Sequence, residues 1–403
     1  MKRADTAEII VVGGGMVGLS FVNLLATRWP KRATDVVVIE RTPPPDWQSE
    51  VGLRVSALSP RSTNILSACG VWQGLPAERC GPYRRMVVWR NGGPGGNDTI
   101  EFDAAEQGIA ALGHIVENDL VCRLLWDRAE AAGVRLLTGA APVTLERSRD
   151  GVQLALDDGL ELSARLLVGA DGAASWVRQT GGLARRQWLY RQQGVVTHAQ
   201  PELPHQATAW QRFLPRGPLA LLPLADGRVS VVWSCPDERA AELIGGGQAA
   251  LGDALTTASE GVLGQLQPTL PARAFPLVAA HASTYTGDRV VLIGDAAHQV
   301  HPLAGQGANL GLKDAAELAQ VIGEFLDRPA ADPGDRRVLR RYERARKTDN
   351  LATLMTMDLM NRAFSGGHPA LAALAGGGLG LVNRVTPLKR AFAAYASGGT
   401  DRT

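Results

Sequence analysis

The chain predicts an α/β fold: a Rossmann-like dinucleotide-binding domain, interrupted by an antiparallel sheet and closed by a helical C-terminal region. Three observations carry this. Glu8-Ile-Ile-Val-Val runs into Gly13-Gly-Gly-Met-Val-Gly18 and then a helical pattern through Ala26, so a buried strand feeds a glycine turn and a helix. A second apolar run, Val36 to Ile39, ends in Glu40 and completes a β-α-β unit. Far along the chain, Val290-Val-Leu-Ile-Gly-Asp295 again runs from apolar strand to acid, and a glycine-rich turn at Gly305-Gln306-Gly307 opens another helix. Two glycine turns of this kind on one chain suggest one cofactor held at two places, because each exposes unpaired backbone N–H groups to a ligand.

Between these anchors the elements follow in order. Residues 42 to 60 are rich in proline and polar side chains and read as a loop, followed by a helix around Ser62 to Ala68. Asn91-Gly-Gly-Pro-Gly-Gly96 reads as a turn between strands, and Ile115 to Ala132 as a helix. Asp157-Asp-Gly159 marks a hairpin, and Arg165-Leu-Leu-Val-Gly-Ala-Asp-Gly172 a buried strand ending in an acid. From Val195 to about Val278 the texture changes to alternation, as in Thr208-Ala-Trp-Gln-Arg-Phe-Leu and Arg228-Val-Ser-Val-Val-Trp-Ser, which reads as an inserted antiparallel sheet. After Leu310 the chain turns helical, with one long helix from Arg336 to about Phe364.

With 403 residues, 45% hydrophobic and 20% charged, the chain is long enough for two or three subdomains around a large core. A net charge of +2 predicts no nucleic-acid partner. The four cysteines, Cys69, Cys80, Cys122 and Cys235, include no C-x-x-C pair, which argues against a zinc site or disulfide framework and for a reducing compartment. Only eight residues precede the first strand, too few for a cleavable signal, and no apolar run has the length of a membrane span. The expected location is cytoplasmic, with any membrane contact peripheral, on the inner membrane.

The chemistry-bearing motifs each have a plain alternative. Gly13-x-Gly15-x-x-Gly18 allows a tight turn and close approach to a pyrophosphate, while Glu40 stands where a carboxylate accepts ribose hydroxyls. Glycine turns are common and Glu40 alone is an acid at a strand end, and the pair does not separate NAD from FAD. Asp171-Gly172 and Gly294-Asp295 place acids just past buried strands, where open α/β sheets bind ligands; two turn-forming acids are the other reading. Asp295, His298 and His301 have a ligand-like spacing, but Pro302 breaks any helix there and no fourth ligand is evident, so no metal is expected. The basic run from Arg336 to Lys347 reads as a solvated helix face with Leu339 and Tyr342 turned inward. Val385, Leu388, Phe392 and Tyr395 form a helical stripe for packing, for a membrane surface or for a partner subunit.

Together these segments resemble the FAD-dependent aromatic hydroxylases of the p-hydroxybenzoate hydroxylase fold, and most closely their ubiquinone-biosynthesis branch. The likeness rests on Val11-Val-Gly-Gly-Gly-Met-Val-Gly18, Glu40, Arg54-Val-Ser-Ala-Leu-Ser59, Gly169-Ala-Asp-Gly172, Ala209-Trp-Gln-Arg-Phe-Leu-Pro215, the full His301-Pro-Leu-Ala-Gly-Gln-Gly-Ala-Asn-Leu-Gly311, and Tyr342-Glu-Arg through Asp349-Asn350. It spans residues 8 to about 365. Ala308 departs from it, standing where the branch often carries a larger apolar residue, which would widen the space near the flavin.

The resemblance implies FAD as cofactor, NAD(P)H as co-substrate and dioxygen as the source of an oxygen inserted into an electron-rich phenol ring. It implies cofactor-binding roles for Gly13, Gly15, Met16, Val17, Gly18, Glu40, Arg41, Arg54, Asn118 and Asp171 in the first half of the chain. In the second half it implies them for Gly294, Asp295, Pro302, Gly305, Gln306, Gly307, Ala308 and Asn309. The fold class becomes a Rossmann-like FAD-binding domain (1–75, 100–182 and 280–345), an inserted antiparallel-sheet substrate domain (76–99 and 183–279) and C-terminal helices (346–403). The substrate implied is a lipophilic polyprenyl phenol of ubiquinone synthesis; a soluble aromatic, or a non-catalytic FAD-fold subunit of a ubiquinone-synthesis complex, is the alternative. A homo-oligomer fits the same reading. Reduced-oxygen chemistry needs a dry, apolar pocket, for which Val231, Trp233, Trp210, Phe213 and Leu221 are candidate walls. No side chain presents itself as a proton-transfer group, so no catalytic base is named.

Overall fold

A computed structural model describes residues 5–42, 50–300, 306–326 and 331–365. Among these residues the strands form four sheets, built around one mostly parallel sheet of six strands. Its order is Thr286–Gly287, Val290–Leu292, Leu166–Gly169, Ile9–Val12, Val36–Glu40 and Arg135–Thr138, all parallel except at the first pair. The central strands carry unbroken apolar runs because helices and the four-stranded sheet of Val152, Leu154 and Leu156 enclose them in one core, and Ile9 to Val12, Val36 to Ile39 and Leu166 to Val168 are all buried.

The helices are α1 (Met16–Arg28), α2 (Pro60–Ala68), α3 (Asn118–Ala131), α4 (Trp176–Thr180), α5 (Asp237–Gly245), α6 (Gly247–Ala258), α7 (Gln306–Leu326) and α8 (Arg336–Ser365). Helix α1 packs against both α3 and α7, and α7 against α8. The predicted β-α-β unit, the Asp157–Gly159 hairpin and the long last helix are all present.

Three expectations are corrected. Residues 42–60 are not loop throughout: Val55–Leu58 is a strand paired with Gly113–Glu117. For the same reason the predicted helix from Ile115 begins only at Asn118, since Ile115 to Glu117 belong to that strand. Register partners such as Ser56 and Val116 lie far apart in sequence, so local periodicity could not reveal the pairing. The segment from Val195 to Val278 is likewise not sheet throughout, because α5 and α6 interrupt it. The C-terminal stripe from Val385 to Tyr395 lies outside the described residues.

The largest sheet runs His298–Gln299, Arg273–Ala282, Arg185–Pro201, Val229–Pro236, Gly217–Pro223, Thr208–Leu214, Arg85–Trp89 and Thr99–Asp103, with Leu266–Pro268 on the long third strand. It is antiparallel apart from one parallel pairing, Arg85–Trp89 with Thr208–Leu214. One face carries a core with α5 and α6 that includes Val195, Leu219, Leu221, Val231, Trp233, Leu243 and Leu255. The other face looks toward Ile115, Tyr83, Ala57 and Met357, and so toward the parallel sheet's ligand end.

Candidate cofactor site

Strand Ile9–Val12 ends at the first glycine turn. Gly13 has φ +110°, and a Cβ there would lie 2.3 Å from the Ala170 carbonyl oxygen, so only glycine lets the turn sit against the neighbouring strand end. Gly15 is the exposed N-cap of α1 and, among the described residues, has nothing within 4 Å of a notional Cβ, which leaves the helix N-terminus open to a ligand. Glu40 reaches across from the second strand: its Oε2 accepts from the Gly14 N–H (2.5 Å) and its Oε1 from the Thr42 N–H (3.1 Å). Arg41 follows it, exposed.

The second turn meets the first. Gly294 has φ +60°, and a Cβ on it would stand 3.1 Å from Val17 Cγ1; one on Gly311 of α7 would stand 2.5 Å from Val17 Cγ2. Val17, in the first turn of α1, is therefore wedged between the Gly294–Asp295 turn and α7. The two glycine motifs border one cleft. Asp295 is solvent-accessible yet enclosed by protein on most sides; burial raises its pKa, with the charges of His298 and Arg54 acting in the opposite sense. Cys122, in α3, is near Arg54 as well: burial pushes its thiol up to about 12, with the charge of Asp119 acting in the same sense and that of Arg54 against it.

Arg54 and Asn118 are brought together by the strand pair that the sequence did not reveal. The Asn118 N–H donates to the Arg54 carbonyl (3.0 Å), and Ser56 Oγ donates to Asn118 Oδ1 (2.6 Å). Behind them Glu117, buried, takes a bidentate pair of bonds from Arg79 (2.6 and 2.8 Å) and the Gly52 N–H (2.7 Å), which fixes the loop carrying Arg54.

Two other predicted residues also have structural duties. Asp171 lies beside the first turn, but its carboxylate accepts from Ser175 Oγ (2.5 Å) and the Val177 N–H (3.0 Å), capping α4; burial raises its pKa. Asn309 is buried, and its side chain accepts from the Ser59 N–H (2.9 Å) and Ser62 Oγ (2.6 Å) and donates to the Ala57 carbonyl (2.8 Å). It ties α7 to the Arg54–Ser59 segment, so its side chain is a fastening for the cleft rather than a contact within it. Gln306, Gly307 and Ala308 open α7, and among the described residues no neighbouring element comes within 4 Å of a notional Gly307 Cβ. Pro302, Gly305 and His301 fall outside the described residues. Among the described residues no group of three or more His, Cys, Asp or Glu could hold a metal.

Sequence reasoning missed the buried network behind the second turn. Asp314 of α7, fully buried, accepts from the Gly294 N–H (3.1 Å), Arg346 Nε (2.8 Å) and Asn350 Nδ2 (3.0 Å), and pairs with His298 Nε2 at 2.5 Å. Burial opposes its ionisation, but the charges of His298 and Arg346 outweigh burial and hold its carboxyl well below the ordinary range. Arg346 is accordingly no part of a solvated face: it is buried, with further bonds to Asp349 (2.7 Å) and Asn350 (2.7 Å). The available signal was an acid in the apolar stripe Leu310, Leu318, Ile322, and an arginine and an asparagine in the stripe of Leu339 and Tyr342.

Four of the five proposed pocket walls are also corrected. Leu221, Val231, Trp233 and Trp210 pack with α5 and α6 on the far face of the sheet. Strand alternation turns their neighbours Ala220, Leu222 and Val232, with Val196, toward the cleft, where all four are half-buried. Phe213 does face that side, in the core with Tyr83 and Ile115.

The FAD binding domain family model matches residues 6–355. The chain belongs to this family. It is 37% identical over 397 residues to the 3-demethoxyubiquinol 3-hydroxylase of Escherichia coli, covering 97% of this chain and 98% of that protein. It is 35% identical to the mitochondrial ubiquinone biosynthesis monooxygenase COQ6 of Mus musculus, covering 98% and 92%. In fold it is similar to PqsL of P. aeruginosa, solved with 2-aminobenzoylacetate: TM-score 0.77 at 23% identity, over 93% of this chain and 99% of that one. This family member is an FAD-dependent aromatic hydroxylase. The cleft fits the cofactor: an open helix N-terminus at Gly15, open space at Gly307, and Arg54 and Asp295 accessible between them.

Proposed function

We propose that this protein hydroxylates the aromatic ring of a polyprenyl-phenol intermediate of ubiquinone biosynthesis, consuming NAD(P)H and dioxygen. The convergence of both glycine turns on Val17, with Arg54 and Asp295 in the same cleft, is the single observation that carries the reading, and the names of its relatives supply the substrate class. The chemistry is supplied by bound FAD. The amides of Gly13 to Gly18 hold its diphosphate and Glu40, beside Arg41, its ribose. Arg54, Asn118, Asp171, Gly294, Asp295 and the start of α7 surround the rest, and the N-terminal end of α7 favours negative charge beside it.

The half-buried face of Val196, Ala220, Leu222 and Val232 excludes water from the reacting ring. The domain division given above is part of the same reading: residues 76–99 and 183–279 close over the cofactor domain. So is a peripheral contact with the inner membrane, the source of a lipophilic substrate. No helix among the described residues is long and apolar enough to cross a membrane.

The test is direct. Anaerobic NADPH should bleach the bound flavin, and admitting air with a polyprenyl phenol should restore it with formation of a hydroxylated ring, identified by mass. Bleaching without product from any polyprenyl phenol would refute the substrate; a strain lacking the protein should accumulate the unhydroxylated precursor.

A further inference from the structure

The long strand Arg185–Pro201 and its neighbour Arg273–Ala282 share the cleft-side face on which Val196 lies. Register places Trp188 opposite Ala279 and Gly194 opposite Phe275, so Trp188 and Phe275 project from that same face. Pairing slips between Leu189 and Gln193, where Arg191 takes φ +51°, so the bulge leaves Tyr190–Gln192 out of this ladder. Among the described residues the outer strand His298–Gln299 pairs only with Ala280 and His281, and none pairs with the outer side of Arg273 to Pro276. The outcome is an apolar sheet edge in water: Trp188 is 40% exposed and Phe275 43% on this face, and Leu189, 68% exposed, projects from the other side of the strand beside the bulge. Tyr190 Oη donates to Asp358 of α8 (3.0 Å), which brings Met355, 60% exposed and one turn earlier, to the same region.

The rim is cationic. Arg186 and Arg273 lie two residues from Trp188 and Phe275 on the same face, and Arg191 sits on the bulge; all three are exposed. Among the described residues none of the three makes an ion pair or side-chain hydrogen bond. The neighbouring acids are engaged, Asp358 by Tyr190 and Asp237 by Gln193 (2.9 Å). Exposed aromatic and aliphatic side chains ringed by unpaired arginines match the boundary of an anionic bilayer, with rings at the acyl edge and guanidinium groups among phosphates.

We infer that this patch is the surface on which the protein rests against anionic lipid. It rests on the prenyl-phenol reading in one respect: the patch continues the apolar cleft face past Gly194, so a tail leaving the cleft enters the bilayer without crossing water.

The experiment is vesicle flotation of the full-length, FAD-loaded protein. Vesicles of mixed phosphatidylcholine and phosphatidylglycerol should carry it upward, and vesicles of phosphatidylcholine alone should carry far less. The triple change Arg186→Gln, Arg191→Gln, Arg273→Gln should weaken partitioning roughly a hundredfold. The pair Trp188→Ser, Phe275→Ser should abolish flotation, with turnover of a tail-less soluble phenol unchanged in both variants. Without vesicles, iodide should quench the fluorescence difference between wild type and Trp188→Phe. Lack of flotation by the wild type, equal flotation by the variants, or a Trp188 shielded from iodide by residues 366–403 or a second copy would each overturn the inference. Intact flotation with no product from any polyprenyl phenol would overturn the substrate alone.

Discussion

Asp314 Oδ2 lies 2.5 Å from His298 Nε2 and also accepts the Gly294 N–H, so one buried carboxylate on α7 holds the turn that presents Asp295. With Arg346 and Asn350 on its other oxygen, it joins three elements that the chain visits far apart.

Removing that charge should be costly. Asp314→Asn takes the buried anion from Arg346 and leaves it only the exposed Asp349, and should destabilise the fold by about 3–5 kcal/mol. The folded pKa is depressed, so this contribution is complete above the unfolded value of about 3.9 and is lost as pH falls from there toward the folded value. Urea midpoints across acid pH check it: wild type should weaken below about pH 4, and the variant should lack that component.

Val17 and Gly311 should behave as a coupled pair. Gly311→Ala puts a methyl where Val17 Cγ2 stands, and should lower FAD affinity and the melting temperature. Adding Val17→Ala should recover a large part of the loss, so the double-mutant cycle should show coupling of about 0.5–3 kcal/mol. Additive effects would mean that the turns are not wedged together.

Asn309→Ala should loosen α7 from the Arg54–Ser59 segment and strand the Ser59 N–H without its acceptor, at about 1–3 kcal/mol. FAD titration by fluorescence should show weaker binding although the deleted side chain faces away from the cleft. Unchanged FAD affinity would count against the fastening role.

The two faces of the large sheet should separate stability from substrate binding. Leu221→Ala opens a cavity beneath α5 and α6 and should cost about 2–5 kcal/mol with KM unchanged. Val232→Phe, on the cleft face, should raise KM with little change in melting temperature. The reverse pattern would restore Val231 and Leu221 as walls.

Local sequence was enough for the parts that are local. The turn at Gly13–Gly18, the acid at Glu40, the second turn at Gly294 and the long helix to Ser365 each follow from side-chain type and short spacing. These residues also sufficed to name the family. The division into two sheet faces was visible as alternation, but the phase was not: Val231 and Val232 have the same chemistry, and only the packing of α5 and α6 decides which one is core.

What the sequence alone determined, then, is which segments expose backbone donors to a nucleotide, because glycine content and strand-end acids act over a few residues. Tertiary structure alone decided how they converge. Val17 between two turns, Arg54 bonded to Asn118, and Asp314 joining Gly294 to Arg346 are contacts between residues tens to hundreds of positions apart. Such pairings depend on burial and register, which no local pattern encodes.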